Sequence, residues 1–597
     1  MNNKLLTYLT FFNHWRKQKI SQNNFLILAA AITGTLGGIA ASLLKRLTHI
    51  IENFLQNDLH WEYKYYLYFF FPLIGIFLTV FYIKAFIRRR KFQYGISSII
   101  ENISSQSSKI DFHNIYSQIF SSALTVGFGG SAGLEAPIVA SGSSIGSNIG
   151  RLFGLSYRET TLLLACGAAA GIAGAFNSPV AGMVFALEVL MPGFSIPAFI
   201  PLLIASALSS VVSRIIYDKP LFVLVTGDWV TKAVGFYILF AIVSGLFSVY
   251  YNRVNANISD RFKKIESRYK KVWIGGIGLG ILIAFFPALY GEGYITIQNL
   301  LNGNYSSLLA YSFFSGYQQY PWLLLAFAIL TLFGKTIASS LTMSSGGNGG
   351  MFGPTVVVGG LLGFVFAFGI NLTGLAQLNI TNFMIAGMAA AVSGMMHAPL
   401  TGLFLSAEIT GGYELFVPLM IVSAISYFIN KHFLKHSIYT KKIAESSNLS
   451  THQSKEQNLL NRMKLKYLIE RDFVVLHPEE TPMERSKDII HTNRNVFPVV
   501  SDEGALIGIL HSDLLLEALM DTEGDKKNML IGTLSQPPEK SVDINTPMSE
   551  VLRQMDSLDI RILPVTGSEN RYLGFVSKNG IFNKYRRLLR RQRDYLQ

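Results

Sequence analysis

The sequence predicts an all-α polytopic membrane protein that is followed by a smaller α/β domain, and three observations lead to this fold class. Half of the 597 residues are hydrophobic, only 15% are charged and the mean hydropathy is +0.35, whereas soluble domains carry about 25% charged residues. Glu188 is the single charged residue between positions 160 and 213, and only Glu408 and Glu414 are charged between 337 and 430. Because only helices and closed barrels satisfy their backbone in lipid, such stretches indicate membrane helices.

The first half of the membrane region combines full spans with broken ones. A polar segment at residues 1–22 precedes spans predicted at about 24–45 and 65–87. The apolar segments then become shorter and are interrupted by glycine or proline, at about 115–127, 137–154, 160–175 and 178–191. Segments that are too short to cross a core of about 30 Å predict half-helices that end inside the membrane and line a cavity.

The same order of full and broken segments returns in the rest of the membrane region. Longer apolar stretches occupy about 195–216, 231–250, 272–290 and 321–342, broken ones return at 354–372, 381–395 and 398–411, and a last span covers 415–433. The basic residues that produce the net charge of +14 lie beside these spans, as in Arg16-Lys17 and Lys270-Lys271. Positive residues mark the cytoplasmic ends of spans, so we expect the charge to orient the protein and no nucleic acid to bind.

An internal repeat organises the membrane region. The stretch from Gly167 to Gly182 aligns without a gap on the stretch from Gly387 to Gly402, and the register continues to place Glu188 on Glu408. With a shift of three residues, the loop from Gly129 to Pro137 aligns on that from Gly346 to Pro354. Repeats of this kind are often inverted and place the substrate site near the midplane, between paired broken helices.

A glycine-rich loop with one carboxylate is the candidate site. Glu135 is the only Asp, Glu, Lys or Arg between Phe112 and Gly150, and a charge at membrane depth costs about 2.5–3.5 kcal/mol on insertion scales. Helix starts are predicted at Ala136-Pro137 and Gly353-Pro354, because proline suits the first turn. Helix N-termini bind anions through unpaired N–H groups and the helix dipole. The pattern therefore predicts an anion path at this loop, with Glu135 as its single ionisable group and with no metal site and no catalytic group.

The chain changes character after the last span. Residues 443–464 have the polar, Ser- and Asn-rich composition of a linker. Residues 465–597 contain a second repeat, in which Val496-Phe-Pro-Val-Val and Leu506-Ile-Gly-Ile-Leu correspond to Ile562-Leu-Pro-Val and Tyr572-Leu-Gly-Phe-Val. Each copy predicts two strands and a helix, preceded by an amphipathic helix at 482–492 or 547–558.

At this point the residues resemble a known family. Residues 24–442 resemble the CLC chloride channels and chloride/proton antiporters: Gly133-Leu-Glu-Ala-Pro137 is similar to the gating motif GxEGP, and Gly349-Gly-Met-Phe-Gly-Pro354 to GGxFxP. Tyr439 stands where the family's pore tyrosine follows the last span, and Asn177-Ser-Pro179 opens the helix that leads to Glu188. The membrane domain is accordingly assigned to residues 23–442, and residues 465–597 resemble a tandem pair of CBS repeats.

The resemblance implies roles for individual residues. Glu135 is the expected gate, at an anion site made by the amides of Leu134, Glu135 and Ala136 after Gly133, and it moves away when chloride displaces it or when it is protonated. The amides of Met351 and Phe352 and the Tyr439 hydroxyl are expected to line a central anion site. The resemblance also implies chloride as the substrate, and a homodimer in the lipid bilayer, which we expect to be the bacterial inner membrane, with both termini cytoplasmic.

Three departures from the family pattern shape the expected mechanism. The best match to the first pore motif is Gln93-Tyr94-Gly95, so that Tyr94 stands in place of the pore serine, either as an anion ligand or only as a packing residue. Leu134 replaces a common arginine, and Val189 occupies the position of the internal proton glutamate of antiporters. The sequence therefore predicts a passive, voltage- or pH-gated chloride channel, with a chloride/proton antiporter or a fluoride transporter as alternatives.

The CBS pair offers a weak nucleotide motif. The usual pattern is a glycine, two apolar residues, Ser or Thr, two residues and Asp; the first repeat reaches Asp513 one residue early, and the second has Ser577 but lacks the Asp. No cofactor is expected to be required, although an adenine nucleotide is a possible ligand here. A CBS-bearing cation transporter and a membrane enzyme are less favoured, because the spans have too few acidic residues and no nucleophile–base pair.

Overall fold

The structure is a computed structural model, and the chain divides into two compact units, residues 1–445 and 446–597. It describes residues 13, 15–55, 68–87, 92–104, 108–191, 198–218, 229–310, 312–411, 413–441, 443–444, 460, 463–492, 494–520 and 528–594. Most of the predicted linker at 443–464 and of the N-terminal segment at 1–22 lies outside these residues. Each unit is described by itself.

The first half of the membrane unit begins with a long helix, and shorter helices follow it. Ser21 caps the first helix, which is 32 residues long, by accepting a hydrogen bond from the Asn24 amide. The helices of this half are α1 (Gln22–Asn53), α2 (Phe71–Phe86), α3 (Gly95–Ser104), α4 (Asn114–Gly127), α5 (Glu135–Leu152), α6 (Tyr157–Phe176), α7 (Pro179–Phe185) and α8 (Phe199–Ile216).

The second half has the same succession of long and broken helices. They are α9 (Val234–Lys263), α10 (Arg268–Phe285), α11 (Tyr294–Leu301), α12 (Pro321–Ser344), α13 (Phe352–Thr373), α14 (Ile380–Met396), α15 (Pro399–Ile409) and α16 (Phe416–Phe433). Among the described residues, seven helices are long and apolar enough to cross a membrane. The short helices α7 and α15 begin at a proline, as the sequence predicts. Among the described helices of the membrane unit, α3 and α11 have no counterpart among the predicted segments.

The two halves meet at their glycine loops. The Gly133 amide donates to the Gly350 carbonyl over 2.9 Å, and the Gly350 amide returns a bond of 2.8 Å to Gly133. Thr125 bonds to the loop of the other half, where its hydroxyl accepts from the Asn348 amide. Its repeat partner Thr342 accepts in the same way from the Ser131 amide. The repeat read from the sequence is therefore a structural repeat whose halves exchange hydrogen bonds.

Glycine contacts set the distance between neighbouring helices in both halves. A Cβ on Gly167 of α6 would lie 1.9 Å from the Gly142 carbonyl oxygen of α5. In the second half, a Cβ on Gly387 of α14 would lie 2.1 Å from the Gly359 carbonyl oxygen of α13. Small residues let membrane helices approach closely, so these contacts hold both loop-bearing helices, α5 and α13, in place.

The C-terminal unit contains two similar strand pairs. β1 (Val496–Val500) is antiparallel to β2 (Leu506–His511), and β4 (Ile562–Thr566) is antiparallel to β5 (Tyr572–Ser577), while the short β3 (Val542–Asp543) runs parallel to β4. Both hairpins have an irregularity at the same place, near Val500 and Thr566. Helices follow as α17 (Ser486–Ile490), α18 (Ser512–Met520), α19 (Ile531–Leu534), α20 (Met548–Ser557) and α21 (Lys578–Asp594). The predicted α/β repeat is confirmed.

Candidate functional site

The site forms where the paired loops deliver two helix starts to one point. α5 begins at Glu135 and α13 begins at Phe352, and the Gly133–Gly350 hydrogen bonds join the loops immediately before these starts. The first four amides of a helix lack partners within the helix and carry partial positive charge. Two such ends therefore create a region inside the membrane unit that favours negative charge.

Glu135 lies in this region with its side chain only 2% exposed. Its Oε2 atom accepts a hydrogen bond of 3.1 Å from the Gly353 amide, at the start of α13. Its Oε1 atom accepts a bond of 2.6 Å from the Tyr294 hydroxyl. Among the residues that the structure describes, no ion pair of Glu135 with a basic side chain is found. The carboxylate thus accepts a hydrogen bond from an amide of the other half of the repeat, as a bound anion would.

The Leu134 amide has a different partner from the one predicted. Its N–H donates 3.1 Å to Oε1 of Glu292, which precedes α11. We expected the carboxylate of Glu135 at the amides of Leu134, Glu135 and Ala136, but that carboxylate reaches across to Gly353. The sequence analysis predicted a helix start at Gly353 but not its bond to Glu135, and it missed Glu292 and Tyr294. The signal that could have indicated this segment is the charge of Glu292, which stands between two glycines and between apolar stretches in Gly291-Glu-Gly-Tyr294.

Two lysines on the membrane helices lie close to this region. Lys335 of α12 is fully buried and donates 2.8 Å to the Gly291 carbonyl oxygen. Lys45 of α1 donates 3.0 Å to the Gly174 carbonyl oxygen and interacts electrostatically with Glu135 and Glu292. The cation that Leu134 does not supply is therefore replaced by positive charge from α1 and α12.

The other predicted anion ligands lie at the start of α13 and after α16. Met351 and Phe352 are buried, and the Phe352 ring packs against Phe176 and Phe185 at 5.6 and 6.0 Å between ring centroids. Tyr439 is buried as well, and its hydroxyl is 3.4 Å from the sulfur of Met396. A thioether is a weak acceptor, so an anion competes readily for this hydroxyl. The anion-binding roles of these residues stay predictions.

Tyr94 lies immediately before α3, as its alignment with the pore serine requires. Its side chain is 51% exposed, and its ring contacts Phe92 edge to face, with 4.8 Å between centroids. Gly95 follows with a φ of 67°, in the left-handed region that glycine adopts without strain. Gln93 is held by the Asn114 carboxamide and by Gln118, which fixes the start of α3. The packing interpretation of Tyr94 has direct support in the Phe92 contact.

Glu188 and Glu408 bind backbone amides rather than anions. Glu188 accepts from the Leu400 and Thr401 amides over 3.1 and 2.9 Å, at the start of α15. Glu408 accepts from Val180 and Ala181 over 3.0 and 2.8 Å, at the start of α7. The two repeat-related glutamates therefore have the same structural role, which is to hold the start of a short helix in the other half.

The nucleotide motif of the C-terminal unit is partly occupied by other side chains. The Ser577 hydroxyl donates to Glu470 and accepts 2.9 Å from the Gly580 amide. Glu470 also pairs with Arg494 at 2.8 Å. A hydrogen bond from Arg494 holds the pKa of Asp472 below its ordinary value. Asp513 lies in the first turn of α18 and accepts from the neighbouring Ser512 hydroxyl. Glu470 and Arg494 are therefore charged neighbours that the motif alone did not indicate.

The fold and this site define a class: membrane proteins that transport anions between paired helix N-termini. Comparison with known proteins identifies the family. Residues 75–431 match the model of the voltage gated chloride channel family, and residues 465–521 and 531–587 match CBS domains. The chain belongs to this chloride channel and transporter family and carries a CBS pair.

Several relatives and solved structures are similar to the chain. The H(+)/Cl(-) exchange transporter ClcA of Vibrio parahaemolyticus is 27% identical over 66% of this chain and 84% of its own length, and that of Vibrio cholerae is 30% identical over 50% and 62%. A slow cyanobacterial Cl-/H+ antiporter matches with a TM-score of 0.57 and 23% identity, over 71% of this chain and 98% of its own. A eukaryotic CLC transporter matches with a TM-score of 0.60 and 17% identity, over 93% and 97%.

These comparisons correct the predicted mechanism. The expectation of a passive channel is wrong, because the relatives are H(+)/Cl(-) exchange transporters and the similar structures include Cl-/H+ and fluoride/proton antiporters. The expectation depended on Val189, which replaces one relay carboxylate. One missing carboxylate does not close a proton path, since water and other polar groups also carry protons. Val189 alone was therefore insufficient evidence for a passive channel.

Proposed function

We propose that this protein exchanges chloride for protons across the membrane, with Glu135 as the group that both ions use. The observation that carries the proposal is the bond between the Glu135 carboxylate and the Gly353 amide, at the junction of two helix starts. An amide that holds a carboxylate can hold a chloride in its place. A carboxylate that competes with chloride can also carry a proton, so one side chain couples the two ions.

The contacts of Glu135 suggest how the exchange proceeds. The charged carboxylate stays on Gly353 and Tyr294 and blocks the path. Protonation removes the charge that the helix dipoles favour, so the side chain leaves and chloride takes its place at the α13 amides. Met351, Phe352 and Tyr439 then line the next position for the anion. The binding is made by partial charges rather than by a full ammonium group, which lets the anion leave again.

Ion flux in liposomes tests this function. We expect the purified full-length protein to move protons uphill when a chloride gradient is applied, and to stop doing so as Glu135→Gln, while chloride still passes. A chloride flux without proton movement in the wild-type protein contradicts exchange. Fluoride is included as a second anion, because Tyr94 replaces the pore serine and the family contains a fluoride/proton antiporter.

The finer assignments follow the same proposal. We propose that both termini are cytoplasmic and that the membrane is the inner membrane of a bacterium; basic residues beside the starts of α1 and α10 support this orientation, because positive residues are enriched at cytoplasmic ends of spans. A homodimer is supported by an apolar groove between α15 and α16, where Leu400, Met420 and Phe428 are 54, 51 and 72% exposed. Crosslinking in native membranes measures the oligomeric state.

The CBS pair is proposed to regulate transport, and an adenine nucleotide is its candidate ligand at Asp513 and Ser577. Such a ligand must displace Glu470 from the Ser577 hydroxyl. Calorimetric titration of the full-length protein with ATP and AMP, with Glu470→Ala beside the wild type, tests this. We expect tighter nucleotide binding in the variant, and an absence of binding in both proteins contradicts a nucleotide site.

A further inference from the structure

We propose that Glu292 is a second gate carboxylate, which competes with the transported anion for the Leu134 amide. This inference rests on the anion path proposed above and extends it. Glu292 Oε1 lies 3.1 Å from the Leu134 nitrogen, immediately before the first residue of α5. While this bond is present, the α5 start is closed to chloride by a carboxylate, as the α13 start is closed by Glu135.

The position of Glu292 differs from that of Glu135 in its access to water. Glu292 is partly exposed, whereas Glu135 is buried. The segment that carries Glu292 begins at the end of α10 opposite to its basic start and leads directly into α11, whose first residue, Tyr294, bonds to Glu135. In the proposed orientation Glu292 therefore lies on the extracellular side of the gate and is able to exchange protons with that solution.

The surrounding charges favour uptake of one proton. The charged and titratable groups that face Glu292 are Lys45 and Glu52 of α1, Glu135 of α5, Tyr217 after α8, Tyr294 of α11 and Lys335 of α12. With both lysines charged, the three carboxylates exceed the positive groups by one charge. Burial in a medium of low dielectric makes such an excess costly, and a proton removes it.

The proposed transport cycle therefore contains two protonation steps, one at Glu292 and one at Glu135. A proton that binds to Glu292 weakens its hold on the Leu134 amide, because a neutral carboxyl is a poorer acceptor than a carboxylate. The freed Leu134 amide then donates its hydrogen bond to the external chloride at the α5 start. Glu292 acts in this sequence as a positioning residue, since it determines when the amide is available, while Glu135 remains the group that couples the ions.

The test compares four full-length proteins in liposomes: wild type, Glu292→Gln, Glu292→Asp and Glu52→Gln. Chloride flux is measured from about pH 5 to about pH 8, the range above the ordinary carboxyl pKa, and chloride binding by calorimetry. We expect Glu292→Gln to bind chloride about tenfold more tightly, since a charge-assisted competitor is lost, and to show a smaller fall in flux at high pH than the wild type, the remaining fall being due to Glu135. Glu292→Asp retains the charge and is expected to retain the pH profile.

Glu52→Gln is the matched control, because it removes one charge from the same group of residues without a contact to Leu134 in the described structure. It is expected to change chloride affinity less than Glu292→Gln does. Equal effects of the two variants, or an unchanged affinity and pH profile in Glu292→Gln, overturn the proposal. A wild-type protein that moves no protons refutes the exchange function instead, and the chloride data still decide the role of Glu292.

Discussion

Glu188 and Glu408 link the two halves of the repeat, because each carboxylate accepts hydrogen bonds from backbone amides at the start of a short helix in the other half. Glu188 lies just beyond α7 and bonds to the start of α15, and Glu408 lies in α15 and bonds to the start of α7. With the bond that the Thr401 hydroxyl donates to Glu188, five charge-assisted hydrogen bonds thus join two short helices that have few turns of their own. The carboxylates offset the positive helix ends, and the arrangement explains their presence in otherwise uncharged segments.

Removal of the Glu408 hydrogen bonds is expected to destabilise the membrane unit. Glu408→Gln leaves one carboxamide oxygen and one N–H donor facing the two amide donors of Val180 and Ala181. Hydrogen bonds to charged groups contribute about 1.5–3 kcal/mol each, so we expect a clear fall in the unfolding temperature of the detergent-solubilised protein. Glu414→Gln, at an exposed carboxylate, serves as the control. Equal unfolding temperatures of the two variants contradict the structural role.

Tyr294 is expected to hold the gate closed. Its hydroxyl donates to Glu135 only while that carboxylate occupies the α13 start. Tyr294→Phe removes one charge-assisted bond from the closed state alone, which lowers its relative population by about tenfold or more. Chloride turnover in liposomes is expected to rise while uphill proton movement is retained. A slower turnover, with a stable protein, argues that Tyr294 supports the open state instead.

Tyr439 is expected to contribute to anion binding. Its hydroxyl contacts only the weak acceptor Met396 among the hydrogen bonds found in the described part of the chain. Tyr439→Phe keeps the ring in its buried position and removes the donor, so we expect chloride affinity to fall by about three- to tenfold. Calorimetric chloride titration measures this change. The unfolding temperature should stay close to that of the wild type, and an unchanged affinity removes Tyr439 from the anion path.

The contact of Gly142 with Gly167 is expected to tolerate no side chain. A Cβ on Gly167 would lie 1.9 Å from the Gly142 carbonyl oxygen, and backbone atoms cannot rotate away as a side chain can. Overpacking costs about 1–3 kcal/mol or more, so Gly167→Ala should reduce folded yield and the unfolding temperature. Gly235→Ala in α9, where no atom lies within 4 Å of the added Cβ, is the matched control. A stable Gly167→Ala protein indicates that α5 and α6 are able to separate.

Much of the architecture is already present in the sequence. The prolines of α7 and α15, the aligned glycines and the paired glutamates predict two related halves, because proline, glycine and buried charge each permit few local structures in lipid. The sequence singled out Glu135 for the same reason, since it is the only charged residue in an apolar region. The predicted mechanism was wrong, because the absence of a carboxylate at Val189 was taken to exclude a proton path.

By itself, the sequence determined that two related glycine loops precede helix starts and that one of them carries a carboxylate, and it predicted an anion path between them. Only the tertiary structure decided which amides this carboxylate meets. Glu135 bonds to Gly353 of the other half, and Leu134 bonds to Glu292 from a third segment. These partners are distant in the chain, and the interlocked loops bring them within hydrogen-bonding distance. Local patterns of glycine and charge do not predict such contacts, because the contacts depend on how α5, α11 and α13 pack.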